Sequence, residues 1–507
     1  GRTPYLCENW IGMRRPTGQP LLPGHTYAVW ITTNVLADGG GTIRRSANLI
    51  SLLDDDPPSD PTLVPIHTLY APFRAFLASQ NTDPSSILTA TVFTVGDHTA
   101  TMEDLADAVE NLPAPTATDW VHCDTDVESP CPDHDGDRAC GAPTADYDEY
   151  HALVSLPIFQ EGTPPYLTPD DGGGIAVVAD PPRADVCLSL TVPTGTTPAN
   201  GWPLAVTAHG TGGSFRSHVT PTLAGTLSTS SVKFAVLGID QVEHGPRRGA
   251  STESPDNLFF NFLNPAASRG NPLQGAADQL SLMKFAATID GTGDFPAKID
   301  PAKIVYFGHS QGGTEGSLML PYADDYKAAV LSGNGASLMY ALLNKTSPVN
   351  VKAVLPLLVQ DPSIGEATGE WSPVLSLLQQ WIDPADPLNF ARLVGTPPAG
   401  HLAKSTFETY GLDDTFAPPI TLETYSLAGN FLQVDPQLTG TIDGLLHRAP
   451  PVAGNLSTGR ITLGMRQYRP ASGDDGHFVV FDVPQANDDM ARFLGMAANG
   501  QVPAIGQ

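Results

Sequence analysis

The sequence predicts an α/β architecture, a mostly parallel sheet covered on both faces by helices. Three observations point to it. From about residue 147 onward, short apolar runs of strand character alternate with stretches of helical periodicity. Within that alternation, Gly308-His309-Ser310-Gln311-Gly312-Gly313 joins a strand-like run, Lys303–Phe307, to a helical one beginning at Thr314. Later in the chain an aspartate and a histidine follow the serine, each just past the end of a strand-like run.

Residues 1–118 have a different texture and read as a small β-rich accessory domain. Tyr27, Val29 and Ile31 alternate with smaller or polar neighbours, and Leu88 to Val95 repeats that period of two. Between them Leu69, Tyr70, Phe73, Phe76 and Leu77 sit at helical spacing. Residues 119–146 form a linker dominated by Cys, Asp, Pro and Gly. Its runs Asp124-Thr125-Asp126 and Asp133-His134-Asp135-Gly136-Asp137 space oxygen ligands as calcium loops do, although no Glu closes the second run. The segment reads as a solvated acidic linker, with structural calcium as the alternative.

Residues 147–507 form the catalytic domain. Its pattern predicts strands over 151–159, 185–192, 204–208, 233–239, 303–307, 327–331, 405–410 and 461–468, and helices over 273–288, after Gly312, around 420–428 and over 485–497. The interval 334–400 is rich in Leu, Trp and Val and is too long for a plain connection. It is expected to form a helical cap that roofs the site and supplies an acyl-binding wall.

The chemistry starts at Ser310. A sharp strand-to-helix turn strains the serine backbone, and glycines on either side remove the side chains that would clash there. A serine hydroxyl needs a base, and that base needs an orienting carboxylate. Asp414, in Tyr410-Gly411-Leu412-Asp413-Asp414, is preferred over Asp413 as the acid, because Asp413 would point the other way in an extended turn. Of thirteen histidines, His477 follows the acid and lies in a glycine-flanked loop, Ser472-Gly473-Asp474-Asp475-Gly476-His477. Asp474 and Asp475 read as loop-forming residues. His209-Gly210-Thr211-Gly212-Gly213 follows the strand Leu204–Ala208 and exposes backbone amides suited to an oxyanion. The amides of Thr211 and Gln311 are assigned there, with Gly210 as the alternative to Thr211.

Composition narrows the partners. Lys and Arg total 26 against 54 Asp and Glu, a formal net charge of −28. That charge repels nucleic acid and anionic membranes, so neutral small-molecule, lipid or polymer substrates are expected. No run approaches the roughly 20 apolar residues of a membrane span. Three of the five cysteines, Cys123, Cys131 and Cys140, crowd into the linker, which has no apolar cluster to hold it folded. Disulfides would order it, implying an oxidising compartment and one thiol left over. The chain opens at Gly1-Arg2-Thr3-Pro4 without a leader, as expected of a mature secreted protein.

At these residues the chain from about 147 to 500 resembles the α/β-hydrolases of the serine esterase and lipase type. More narrowly it resembles bacterial extracellular lipases with an N-terminal immunoglobulin-like module. The narrower likeness rests on Tyr27 and its strand, 209–213, 240–247, 259–264, 274–282 and 308–313. The resemblance implies the α/β-hydrolase fold and carboxylic ester hydrolysis through an acyl-enzyme on Ser310. Asp414 and His477 would complete the triad, and catalysis would need no cofactor. A secreted monomer, extracellular or periplasmic, is the expectation. The same triad on the same fold would also serve an acyltransferase or peptidase. An inactive surface-binding protein is the alternative from a different class.

Overall fold

The computed structural model describes residues 3–7, 10–131, 137–365, 369–456 and 459–507. The chain folds into two compact units, Gly1–Gln19 with Thr99–Gln507, and Pro20–His98.

One eleven-stranded sheet organises the larger unit. In chain order its strands are β1 (Ala117–His122), β2 (Tyr147–Pro157), β3 (Arg183–Pro193), β4 (Trp202–Ala208), β5 (Ala235–Ile239), β6 (Ile299–His309), β7 (Tyr326–Ser332), β8 (Ser405–Gly411), β9 (Leu432–Val434), β10 (His447–Arg448) and β11 (Leu463–Tyr468). In space they run β10-β9-β11-β8-β7-β6-β4-β5-β3-β2-β1. Neighbours pair parallel from β10 to β5, and antiparallel from β5 through β3 and β2 to β1. A parallel sheet is buried on both faces, so its strands need not alternate apolar with polar residues. All seven residues of β4 and all five of β5 are buried accordingly.

Two helix layers cover the sheet. Leu204, Val206 and Tyr306 face a core shared with α1 (Pro265–Ala286) and α2 (Gln311–Met319), through Leu273, Ala276, Leu280 and Leu318. Ala205, Val305 and Phe307, the alternate residues of the same strands, face Met490, Phe493 and Leu494 of the C-terminal helix Pro484–Ala498. This is the α/β-hydrolase fold, a mostly parallel central sheet between helices.

Among the described residues, four α-helices lie in the interval between β7 and β8: α3 (Leu338–Asn344), α4 (Val351–Leu358), α5 (Pro373–Ile382) and α6 (Pro387–Gly395). They hold a small core of their own around Leu342, Leu355, Ile364 and Leu375. Phe390, Ala391 and Val394 of α6 join the main core. The interval therefore both adds a helical layer and extends the core.

The N-terminal expectations need correction. The helix Ala100–Asn111 buries Met102, Leu105 and Val109 in the main core, and Lys284 Nζ donates to the carbonyls of Val109, Glu110 and Leu112 at its C-terminus. The break therefore falls at residue 98 rather than 118. An immunoglobulin-like sandwich requires two packed sheets. The described unit 20–98 has one antiparallel pair, Thr26–Thr32 with Ile87–Thr94, and three short helices packed on Leu49, Phe73, Leu77 and Ile87. Only two stretches of this sequence have a period of two; the rest is short helices and their connections, so there is no second sheet to pack.

The segment 119–146 is no free linker. β1 runs into it, disulfides join Cys123 to Cys140 and Cys131 to Cys187, and Arg216 donates to the carbonyl of Asp137 and to Glu149. Cys7 is the free, exposed thiol. The calcium reading falls largely on residues 133–136, outside the described residues. Among the described residues, the one group spaced for a metal is Cys123, Cys140 and His151, and its two sulfurs are joined as a disulfide. No helix among the described residues is long and apolar enough to cross a membrane.

Glu315 on α2 is fully buried, and burial raises its carboxyl to about 8 from an ordinary 4.5. The folded protein thus keeps a proton that the unfolded chain releases above about pH 4.5, so this group's contribution to stability is lost as pH rises from 4.5 to 8. Glu315→Gln should remove that loss, flattening the slope of unfolding free energy over this window by on the order of a few kcal/mol relative to wild type. Urea melts of both proteins at several pH values give the difference. Equal slopes would contradict it.

Candidate active site

β6 ends at His309 and α2 starts at Gln311, so Ser310 alone makes the turn. Its φ of 54° and ψ of −113° place a non-glycine residue in the left-handed half of the map, a strained backbone that neighbours must hold. They do so through two hydrogen bonds: Ser310 N–H donates to Ser332 O at 2.7 Å, and Thr314 N–H donates to Ser310 O at 3.0 Å. The flanking glycines have a steric reason. A Cβ on Gly312 would stand 2.2 Å from the carbonyl oxygen of Ala208, and one on Gly308 would stand 2.4 Å from that of Gly312.

That close approach brings the loop after β4 against the serine. Gly312 N–H donates to His209 O at 3.1 Å, and a Cβ on Gly210 would lie 3.4 Å from Ser310 Oγ. Two buried histidines shape the loop. His209 Nε2 accepts from Gln241 N–H, which leaves Nδ1–H to donate to Gly210 O at 2.7 Å. His244 Nε2 accepts from Gly212 N–H at 2.9 Å, and its Nδ1–H donates to Val242 O. Burial lowers His209 to about 4 and holds His244 well below the usual imidazole range, so both are neutral props. Gly213 N–H donates to Gly210 O. Among the described residues, the Gly210 and Thr211 amides donate to no protein acceptor. The Gln311 amide, in the first turn of α2, has no intrahelical acceptor by geometry.

β8 and β11 are adjacent parallel strands, and the loops at their ends carry Asp414 and His477. His477 Nδ1–H donates to Asp414 Oδ2 at 2.9 Å; both side chains are almost fully buried. Asp414 Oδ1 also accepts from Phe416 N–H at 2.9 Å and Ala417 N–H at 2.7 Å. Asp413 is exposed, at a φ of 62°, and turns away. The structure thus pairs His477 with Asp414 and not with Asp413. No hydrogen bond joins Ser310 to His477 among the described residues, but the two line one cavity. Loose nucleophile–base geometry is common in unliganded sites.

Residues outside the sequence-derived set build the rest. Phe416 stacks on the His477 ring with centroids 4.8 Å apart, Phe478 meets its edge, and His309 lies 4.7 Å away. Burial, with His477 and His209 close by, lowers His309 well below its ordinary value; a neutral neighbour does not oppose charge on His477. Asp475 ties the two loops together: its Oδ1 accepts from His477 N–H at 2.9 Å and Thr415 N–H at 3.2 Å, and its Oδ2 accepts from the Thr415 hydroxyl. Asp475 reads in the sequence as a loop-forming residue, whereas nothing local to the sequence marks Phe416.

The shared cavity measures about 460 Å³. Ser310, His477 and the loop 209–213 form its floor, and Phe215, Leu223, Phe307, Phe478 and Phe481 its apolar walls. No described residue of 334–400 lines it, and the wall expected from the cap comes instead from the 214–223 and 478–482 segments.

No protein-family model matches the chain, and no curated protein sequence matches it. Solved structures similar to it include an acetyl xylan esterase from a Paenibacillus species, at 15% identity, 70% of this chain, 87% of that one and a TM-score of 0.40. Acetyl xylan esterase 1 from a Thermoanaerobacterium species is similar at 10% identity, covering 74% and 90%, with a TM-score of 0.40. A glucuronoyl esterase from Teredinibacter turnerae is similar at 13% identity, covering 80% and 86%, with a TM-score of 0.37.

The bonds of Asp475 predict a local energetic effect. Asp475→Ala strands donors of both loops and should lower unfolding free energy by about 1–3 kcal/mol. Asp474→Ala, at an exposed position, should stay within about 0.5 kcal/mol. Denaturant melts compare the two. Equal effects would show that Asp475 does not hold the loops together.

Proposed function

We propose that this chain is a secreted serine hydrolase that cleaves carboxylic esters. The observation that carries the proposal is Ser310 on its strained turn, in one cavity with His477, whose ring is bonded to Asp414. Asp414 holds Nδ1–H, so the lone pair of His477 Nε2 is free to act as a base. Ser310 Oγ attacks the ester carbonyl carbon and its proton passes to Nε2. The carbonyl oxygen becomes an oxyanion that accepts from the Gln311 amide at the N-terminus of α2 and from the Thr211 amide in the loop after β4. Collapse breaks the bond to the alkoxy oxygen, the alcohol leaves with the proton from His477, and the acyl group stays on Ser310. Water repeats the sequence, with His477 taking its proton, and releases the acid.

Two features support the finer readings. The disulfides fit an oxidising compartment. A 460 Å³ cavity with aromatic walls falls in the size range of small-molecule sites, roughly 300–1,000 Å³. It suits a short acyl group better than a long one.

Ser310→Ala should reduce hydrolysis of p-nitrophenyl acetate by about 10³-fold or more with the melting temperature preserved. Asp414→Asn should cost on the order of 10³–10⁴-fold, because the wrong tautomer is then favoured, whereas Asp413→Asn should cost little. The reverse ranking would move the acid to Asp413. Across p-nitrophenyl esters from acetate to palmitate, kcat/KM should peak at short chains; a peak at palmitate would speak for a lipase with a different acyl site.

A further inference from the structure

The stapled acidic segment between β1 and β2 is the most distinctive part of the sequence that ester hydrolysis leaves without a role. Arg138 leaves this segment two residues before Cys140, which is bonded to Cys123, and is almost completely buried. Its guanidinium donates from Nη1 to Asp240 Oδ1 at 2.8 Å and from Nη2 to Oδ2 at 2.6 Å, a two-pronged pair with no solvent access on either side. The same guanidinium lies over the ring of Phe215, 4.8 Å from its centre, and Asp240 Oδ1 also accepts from Phe215 N–H at 3.0 Å. Phe215 is a wall of the cavity that holds Ser310.

Asp240 begins the short platform 240–244 after β5, and the platform's next bonds go to the oxyanion loop. Gln241 N–H donates to His209 Nε2, Gln241 Nε2 donates to His209 O, and His244 Nε2 accepts from Gly212 N–H. From below, Asp240 N–H donates to the carbonyl of Cys187, which is bonded to Cys131. Both disulfides therefore converge on the residue that anchors this platform. A buried ion pair adds little net stability compared with an apolar pair of the same volume. What a planar fork supplies is direction: it fixes the carboxylate in plane and in rotation.

We propose that Arg138, held by the Cys123–Cys140 disulfide, is a positioning residue of the site, fixing through Asp240 the loop whose amides receive the oxyanion. The inference presupposes the ester-hydrolase function. Lost alignment of oxyanion donors lowers the rate of the chemical step rather than substrate binding.

The test is steady-state hydrolysis of p-nitrophenyl acetate by wild type, Arg138→Lys, the double variant Arg138→Met with Asp240→Asn, and the double variant Cys123→Ser with Cys140→Ser, each assayed well below its own melting temperature. The Met/Asn pair removes the fork without leaving a buried charge alone, so it should fold. The expected result is a kcat lower by about tenfold or more per folded molecule in both double variants, with KM changed far less and Arg138→Lys intermediate. A purely structural role moves melting temperature but not kcat of the folded fraction. Folded variants at wild-type kcat would overturn the proposal while leaving the hydrolase function standing, whereas absence of turnover by wild type would remove both. If the Met/Asn pair does not fold, Arg138→Lys and the serine pair decide by the same criterion.

Discussion

The arrangement of the site depends on how closely the backbone of Gly312 approaches the carbonyl of Ala208. With room for no side chain between them, the start of α2 lies directly on the end of β4, and the bond from Gly312 N–H to His209 O closes the contact. Parallel pairing of β4 with β6 supplies the register: Gly308 sits opposite Ala208. Once those two strand ends coincide, Ser310 and the loop 209–213 face each other without further choice. The strain at Ser310 is sustained because its amide and carbonyl are both bonded to ordered neighbours. A side chain at Gly312 would force the turn off β4 and separate the serine from the loop amides.

Electrostatics around the cavity follow from burial. His209, His218, His244 and His309 are all depressed by loss of solvent, so they contribute shape rather than charge, and His209, His244 and His309 add neutral hydrogen bonds. Asp414 differs from them in partners: an imidazole N–H and two backbone N–H groups converge on one carboxylate. A strongly acidic chain therefore surrounds Ser310 mainly with neutral rings, and of the carboxylates near it Asp414 and Asp475 are bonded to the loops that carry them. Such a setting places the Asp414 carboxylate where positive charge would arise on His477.

Part of this was legible in the sequence because Leu204–Ala208 and 304–307 are buried on both faces and appear as short, mainly apolar runs, whereas Ser405–Tyr410 is buried with polar residues at four of its six positions. Leu204–Ala208, Lys303–Phe307 and Ser405–Tyr410 fall within β4, β6 and β8. The expected 151–159 strand starts at Tyr147 instead, because Asp148 and Glu149 disguise its beginning; Glu149 is a buried partner of His151 and Arg216. Periodicity says nothing about neighbour direction, so the antiparallel β3-β2-β1 side was out of reach. The pairing of Asp414 with His477 could be anticipated from strand ends and glycine-flanked loops. The cavity walls could not, since Phe215 comes from a turn and Leu223 and Phe481 from the short helices Pro221–Gly225 and Val479–Asp482, brought together only by the fold. Arg138 is the clearest illegible case: it stands in an Asp-rich segment, and its partner lies 102 residues away.

The central claim is that Ser310 is an activated nucleophile open to the cavity. Labelling the intact protein with a fluorophosphonate and mapping the modified residue by peptide mass spectrometry tests it most directly. One adduct on Ser310, lost when Asp414 or His477 is substituted in a folded protein, is the predicted result. An adduct on another serine, or an unlabelled folded wild-type protein, would contradict it.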